Sequence, residues 1–231
     1  MKAHGLGRVP LERALSKLGL CSRIEAAAKI AQGQVKVHGV VELNPRRMVN
    51  PNTAHIEIAG VKAEPLVTKV VLFHKPKGVV TTKRDPEGRK TLYDFLPSEY
   101  QSFHAVGRLD MHTSGLLILT NDTQFSNFLT NPENRILRVY IVQVRGEVTS
   151  STLSQMLTGV IDQEQTLKAE AVILLKSSGR ESSLEMTLTE GKYREIRRLC
   201  LALGHEVLQL KRIRYGKYEL GDLAPGQISL Q

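Results

Sequence analysis

The sequence predicts an α+β protein in two parts: a small helix-helix-strand unit over residues 1–62 and, after a linker at 63–69, a larger domain over 70–231 with a mostly antiparallel mixed sheet. Three observations carry this expectation. Two helical stretches come first, and short β-branched or alternating runs with few helices dominate thereafter. The regular strand-helix alternation of a doubly wound sheet is missing. Between the two patterns, Glu64-Pro65-Leu66-Val67-Thr68-Lys69 interrupts both.

In chain order, Leu11, Ala14, Leu15 and Leu18 recur at helical spacing behind Pro10, and Gly19 supplies a stop. Ser22 and Glu25 have the spacing of a capping box and open a second helix that ends at Gly33. Gln34–Val37, Val40-Val41 and His55–Ile58 read as strands, the first two joined by a His38-Gly39 turn. In the larger domain, Val70–Phe73 and Val79–Thr82 read as strands about Lys75-Pro76-Lys77-Gly78, and Lys83–Lys90 as a polar loop. A short helix over Thr91–Leu96 stops at Pro97, and a strand over Phe103–Val106 leads to a polar loop and the apolar run Leu116–Leu119. Asn121-Asp122 opens a helix that ends at Asn131-Pro132. Arg138–Val144 alternates at period two. Further on come a helix over Ser151–Leu157 and hairpin strands about Ser178-Gly179. The last helix has Ile196, Leu199, Cys200 and Leu203 on one face, and Val207–Leu210 forms a strand ahead of the basic Lys211–Arg214 segment.

At 231 residues the chain can bury a real core, and its formal charge of +9 favours a polyanionic partner. Through residue 65, ten basic residues face five acidic ones, so more than half of the surplus sits in the first unit. Arg13, Lys17, Arg23 and Lys29 fall on its two helices, as an RNA-docking surface requires. Cys21 and Cys200 lack the spacing of a zinc site or a redox pair, so reduced thiols and a cytoplasmic setting are expected. The opening is polar and no run is long enough to span a bilayer, so neither secretion nor membrane association is expected. The seven scattered histidines give no metal site.

Chemistry concentrates in Gly107-Arg108-Leu109-Asp110-Met111-His112-Thr113-Ser114-Gly115-Leu116. A loop carboxylate at the start of a rigid strand suits a nucleophile or general base. The same residues also suit an ordinary turn in which Arg108 neutralises Asp110. Tyr140, read from its strand alone, is a packing residue. Arg194, Arg197 and Arg198 crowd the start of the last helix, where the helix dipole disfavours cations, so an acidic neighbour is expected: Asp110, Glu190, Glu195 or RNA phosphate.

Together with Lys75-Pro76-Lys77-Gly78, Arg138-Val139-Tyr140 and Glu190-Gly191-Lys192-Tyr193-Arg194-Glu195-Ile196-Arg197-Arg198, this loop resembles the motifs of the pseudouridine synthases. The similarity is to the branch that modifies ribosomal RNA and carries an N-terminal alpha-L RNA-binding module, and it spans nearly the whole chain. The resemblance implies isomerisation of a flipped-out uridine, with no cofactor and no metal. It makes Asp110 the catalytic residue, as nucleophile or proton acceptor. Arg197 becomes the arginine paired with it, Tyr140 the ring beneath the base and Arg108 a supporting group. Arg13, Lys17, Arg23, Lys29, Lys75, Lys77, Lys192, Arg194 and Arg198 are the expected RNA contacts. The implied partner is ribosomal RNA, free or in a partly assembled subunit, and a monomer is expected. Two departures stand out: Arg138 replaces the usual lysine, and Glu195 the usual glutamine. A non-catalytic RNA-binding or ribosome-assembly factor is the alternative reading. A glycoside hydrolase fits less well, because Asp110 has no second carboxylate in its motif.

Overall fold

The computed structural model describes residues 7–51, 53–62 and 67–231. These form two compact units, one of residues up to Thr68 with Asn121–Gln124, the other of Lys69–Thr120 with Phe125–Gln231. The Glu64-Pro65-Leu66 stretch read as linker lies outside the described residues, as does Lys2.

In the smaller unit, helices Leu11–Lys17 and Arg23–Ala31 bury Leu11, Ala14, Leu15, Ala26 and Ile30 against Val35, Val37 and Ile56. The capping box forms: Ser22 Oγ accepts from the Glu25 N–H, and the Glu25 carboxylate accepts from the Ser22 N–H. That satisfies two otherwise orphaned amides at the helix start. An antiparallel sheet, ordered Val40–Val41, Val35–Val37, Ile56–Ile58, Val61–Lys62, backs the helices.

The larger unit holds a nine-stranded sheet. Its main order is Ala171–Ser177, Glu181–Leu188, Arg138–Arg145, Val207–Tyr215, Ser114–Thr120, Val70–Lys75, Ile228–Leu230. Neighbours along that path run antiparallel except at one join, where Val207–Tyr215 lies parallel to Ser114–Thr120 through Lys211 opposite Ser114 and Arg212 opposite Gly115. Alternate residues of Ser114–Thr120 enter different cores, Leu117 and Leu119 one and Leu116 and Ile118 the other. A strand buried on both faces explains why that run is apolar without alternation. Gly115 is required at the parallel join: its φ is +104°, and a Cβ there would lie 2.2 Å from the Arg212 carbonyl oxygen.

Several expectations need correction. Val79–Thr82 is not a strand; its one ladder contact is an isolated bridge between Val80 and Thr91. Thr81 is diverted to a side-chain hydrogen bond with the Leu109 carbonyl. The helix at Thr91–Leu96 is a 3-10 turn over Leu92–Phe95. The strand expected over Phe103–Val106 shrinks to His104–Ala105, paired with Ser114–Thr120. The strand begun at Val207 runs on to Tyr215 and takes in the basic segment. A hairpin of Val160–Asp162 and Gln165–Leu167 was unforeseen, because Gln163 and Glu164, not glycine, hold its positive-φ turn at 48° and 62°. Among the described residues no helix is long and apolar enough to cross a membrane.

Candidate active site

The Asp110 loop connects His104–Ala105 to Ser114–Thr120, and every backbone carbonyl from 109 to 113 is engaged. Leu109 accepts from Thr81 Oγ1 at 2.9 Å, and Asp110 from the Thr113 N–H at 3.0 Å. Met111 accepts from the Gly78 N–H at 2.8 Å, His112 from Arg197 Nη2 at 2.9 Å, and Thr113 from Lys75 Nζ at 2.8 Å. A loop with its carbonyls tied from three directions presents its side chains with little freedom left, which is what a preorganised site requires.

The Asp110 carboxylate itself is half-buried and opens on a cleft of about 290 Å3 lined by Tyr140, Leu188, Glu190, Arg194, Ile196 and Leu210 among others. Its cationic neighbour is Arg194, with Nη1 to Oδ2 at 3.8 Å. Arg194 sits at the N-cap of helix Glu195–Ala202 in the left-handed region, φ 49° and ψ 35°. For a non-glycine residue that conformation costs about 1–3 kcal/mol, and such strain clusters at functional loops.

Arg197 does not form the expected ion pair with Asp110. Its guanidinium is committed to two carbonyls, His112 and, at 3.1 Å, Val207. Burial, then the charge of Arg194, lowers its pKa, while Asp110 works the other way. It therefore bridges the last helix to the Asp110 loop. Lys75 is likewise not a phosphate contact: it is fully buried, its Nζ donates to the Pro76 and Thr113 carbonyls, and burial pushes its pKa down to about 8 against the opposing charge of Asp110. Arg198 is also occupied, in an ion pair with Asp162 and hydrogen bonds to the carbonyls of Asp162 and Tyr193 and to Gln165. It secures the unforeseen hairpin to the helix.

The other predicted residues distribute as follows. Tyr140 is buried and forms a wall of the cleft; Arg108 is exposed and lines it. Lys77 is exposed in the turn beside the loop. Lys192 lines the cleft while its Nζ donates to Glu190 at 2.6 Å and to the Thr166 carbonyl at 2.9 Å. In the smaller unit Arg13 and Arg23 are exposed, Lys17 and Lys29 half-buried. Lys17 is held below the usual lysine range by burial and then by the charges of Arg13 and Arg23. Glu195 is 4% exposed, and its Oε2 accepts from the Lys192 N–H at 3.1 Å. Burial pushes its pKa up to about 7; the Lys192 N–H resists this and the Glu190 charge adds to it. Arg212, which the sequence reading passed over, lines the far side of Tyr140. Nothing in Lys211-Arg212-Ile213-Arg214 sets it apart from its neighbours. Among the described residues no cluster of histidine, cysteine and carboxylates has the makings of a metal site.

The model of the family "RNA pseudouridylate synthase" matches residues 69–202, the span that holds Asp110, Tyr140 and Arg197. The chain belongs to that family. An "Uncharacterized RNA pseudouridine synthase" of Aquifex aeolicus is 34% identical over 95% of this chain and 88% of its own length. The Bacillus subtilis protein named "Ribosomal large subunit pseudouridine synthase B" is 35% identical over 94% of this chain and 89% of its own. A solved pseudouridylate synthase has the same fold, with a TM-score of 0.69 at 24% identity over 96% of each chain. The mixed α+β architecture is thus that of an RNA-modifying isomerase.

Proposed function

We propose that this family member converts a uridine of large-subunit ribosomal RNA to pseudouridine, with Asp110 as its catalytic carboxylate. The RNA class rests on relatives named for the large subunit at 35–37% identity. The observation that carries Asp110 is its setting: a carboxylate on a loop whose five carbonyls are all held, facing a cleft walled by Tyr140.

In the reaction the bond from the ring nitrogen to the ribose breaks, the uracil turns, and ring carbon five bonds to the same ribose carbon. Carbon five loses its proton and the ring nitrogen regains one, so nothing is added or oxidised. Asp110 acts at the sugar or the base as nucleophile or proton acceptor. Arg194 is its ion partner. Arg197 is a positioning residue that sets the loop through His112. Tyr140 receives the base, whose extrusion costs a few kcal/mol offset by binding elsewhere. We assign residues 1–62 to that binding as an RNA-docking module, through Arg13, Lys17, Arg23 and Lys29, and residues 70–231 to catalysis. The enzyme then works as a monomer in the cytoplasm, on RNA free or partly assembled.

The test is release of tritium from ring carbon five of labelled uridine in protein-free bacterial ribosomal RNA. Wild type should release it, and Asp110→Ala should fall to background with RNA affinity nearly unchanged. Salt-sensitive binding without release, repeated on partly assembled subunits, would instead establish a non-catalytic assembly factor.

A further inference from the structure

Past Tyr140 the cleft continues into a second lobe of about 280 Å3, which shares Gly107, Arg108, Tyr140, Glu190, Gly191 and Lys192 with the first. The lobe adds two buried arginines, Arg138 and Arg212, 6% and 3% exposed. Their guanidiniums lie over the Tyr215 ring, 4.9 and 4.8 Å from its centroid. Arg138 donates to the Leu129 and Thr189 carbonyls and to the Tyr215 hydroxyl. Arg212 is far less satisfied: its Nε–H donates to the Leu116 carbonyl at 2.8 Å, and its buried Nη2 has no partner.

Among the described residues neither arginine has a carboxylate within ion-pair distance, and the one acid lining the lobe, Glu190, is taken by Lys192. Two buried cations without counter-charge are costly. Stacking on tyrosine offsets part of that cost and holds the guanidinium planes. It leaves Arg212 Nη2 without a protein acceptor, on a guanidinium whose fork matches phosphate oxygens.

We propose that this lobe is a phosphate subsite that takes a phosphodiester of the substrate RNA next to the nucleotide whose base enters the first lobe, with Arg212 as its principal donor. The assignment of RNA rests on the isomerase reading above; the anion site itself does not. Binding there anchors the backbone on one side of Tyr140 while the base lies on the other, so part of the affinity for the flipped nucleotide comes from its own chain.

Two variants test it. Arg212→Gln removes the charge. Thr130→Glu, at a half-buried lobe-lining position, places a carboxylate among the guanidiniums and keeps both arginines. Inorganic sulfate is titrated into 15N-labelled protein while the arginine Nε–H resonances are followed, and kcat/KM for tritium release is measured against KCl concentration. Wild type should show a saturable shift at Arg212 that Thr130→Glu loses. Each variant should lose at least tenfold in kcat/KM, mainly through KM, and its log-log salt slope should become shallower by roughly 0.7, the loss of one phosphate contact. If Arg212→Gln does not fold, Thr130→Glu carries the comparison, with thermal unfolding as the check on its integrity. A wild-type salt slope in the folded variants overturns the proposal, and a sulfate response with that unchanged slope restricts the lobe to free anions. If wild type releases no tritium, the isomerase reading has failed; the slope is then read from filter binding of the same RNA, with the same two outcomes.

Discussion

In the smaller unit Arg13 and Arg23 stand in solvent with Lys17 between their charges, whereas in the larger unit Lys75, Arg197 and Arg198 are tied to protein oxygens. The residue types are the same and the employment is opposite. A solvated cation keeps its donors for a visiting phosphate, and its removal touches binding. A cation tied to protein oxygens has been spent on the fold, as Lys75 and Arg197 are on carbonyls of the loop that holds Asp110. Its removal should therefore touch turnover or stability.

The largest effects expected from this contrast are at Lys75 and Arg197. Lys75→Met and Arg197→Met should each lower kcat about 100-fold, the cost of a misplaced catalytic group, with RNA affinity within about twofold of wild type. A rise in KM with kcat intact would erase the distinction between the two sets of cations.

The same logic has an acidic counterpart in Glu195. Its carboxyl ordinarily titrates near 4.5 and here near 7, so the folded state holds the proton to higher pH than the unfolded state does. The penalty is absent below about pH 4.5, grows between the two values and is complete above 7. Glu195→Gln should therefore stabilise the protein by on the order of 2–3 kcal/mol at pH 8 and by almost nothing at pH 4. Denaturant melts at the two pH values decide it; an equal gain at both would mean that Glu195 is not protonated on folding. The smallest effect is at Arg13. Arg13→Ala should make the salt slope of RNA binding shallower by roughly 0.7 and leave stability within about 0.5 kcal/mol. A slope equal to wild type would remove Arg13 from the docking surface.

Local chemistry was readable wherever it is settled locally. Ser22 and Glu25 announce their capping box by spacing alone, and Arg138–Val144 announces a strand by alternation. Asp110 could be singled out because glycines and an apolar strand frame it. What the sequence hides depends on partners distant in the chain. Lys75 and Lys77 look equivalent two residues apart, yet the sheet buries one under the Asp110 loop and leaves the other exposed. Arg194 and Arg197 cannot be ranked as partners of Asp110 without the left-handed turn at Arg194, which no residue type signals. Arg212 gains its meaning only from Tyr215 and from the parallel join at Gly115.

That join also fixes when the enzyme can exist. During synthesis Asp110 and Tyr140 emerge well before Arg197 and the Val207–Tyr215 strand, so Ser114–Thr120 must wait for its parallel neighbour. Pairings between such distant segments form late, because the intervening chain must be ordered first. A nascent chain halted before Val207 holds Asp110 on a loop that lacks its final brace. It should be inert toward any RNA within reach, including that of the ribosome making it.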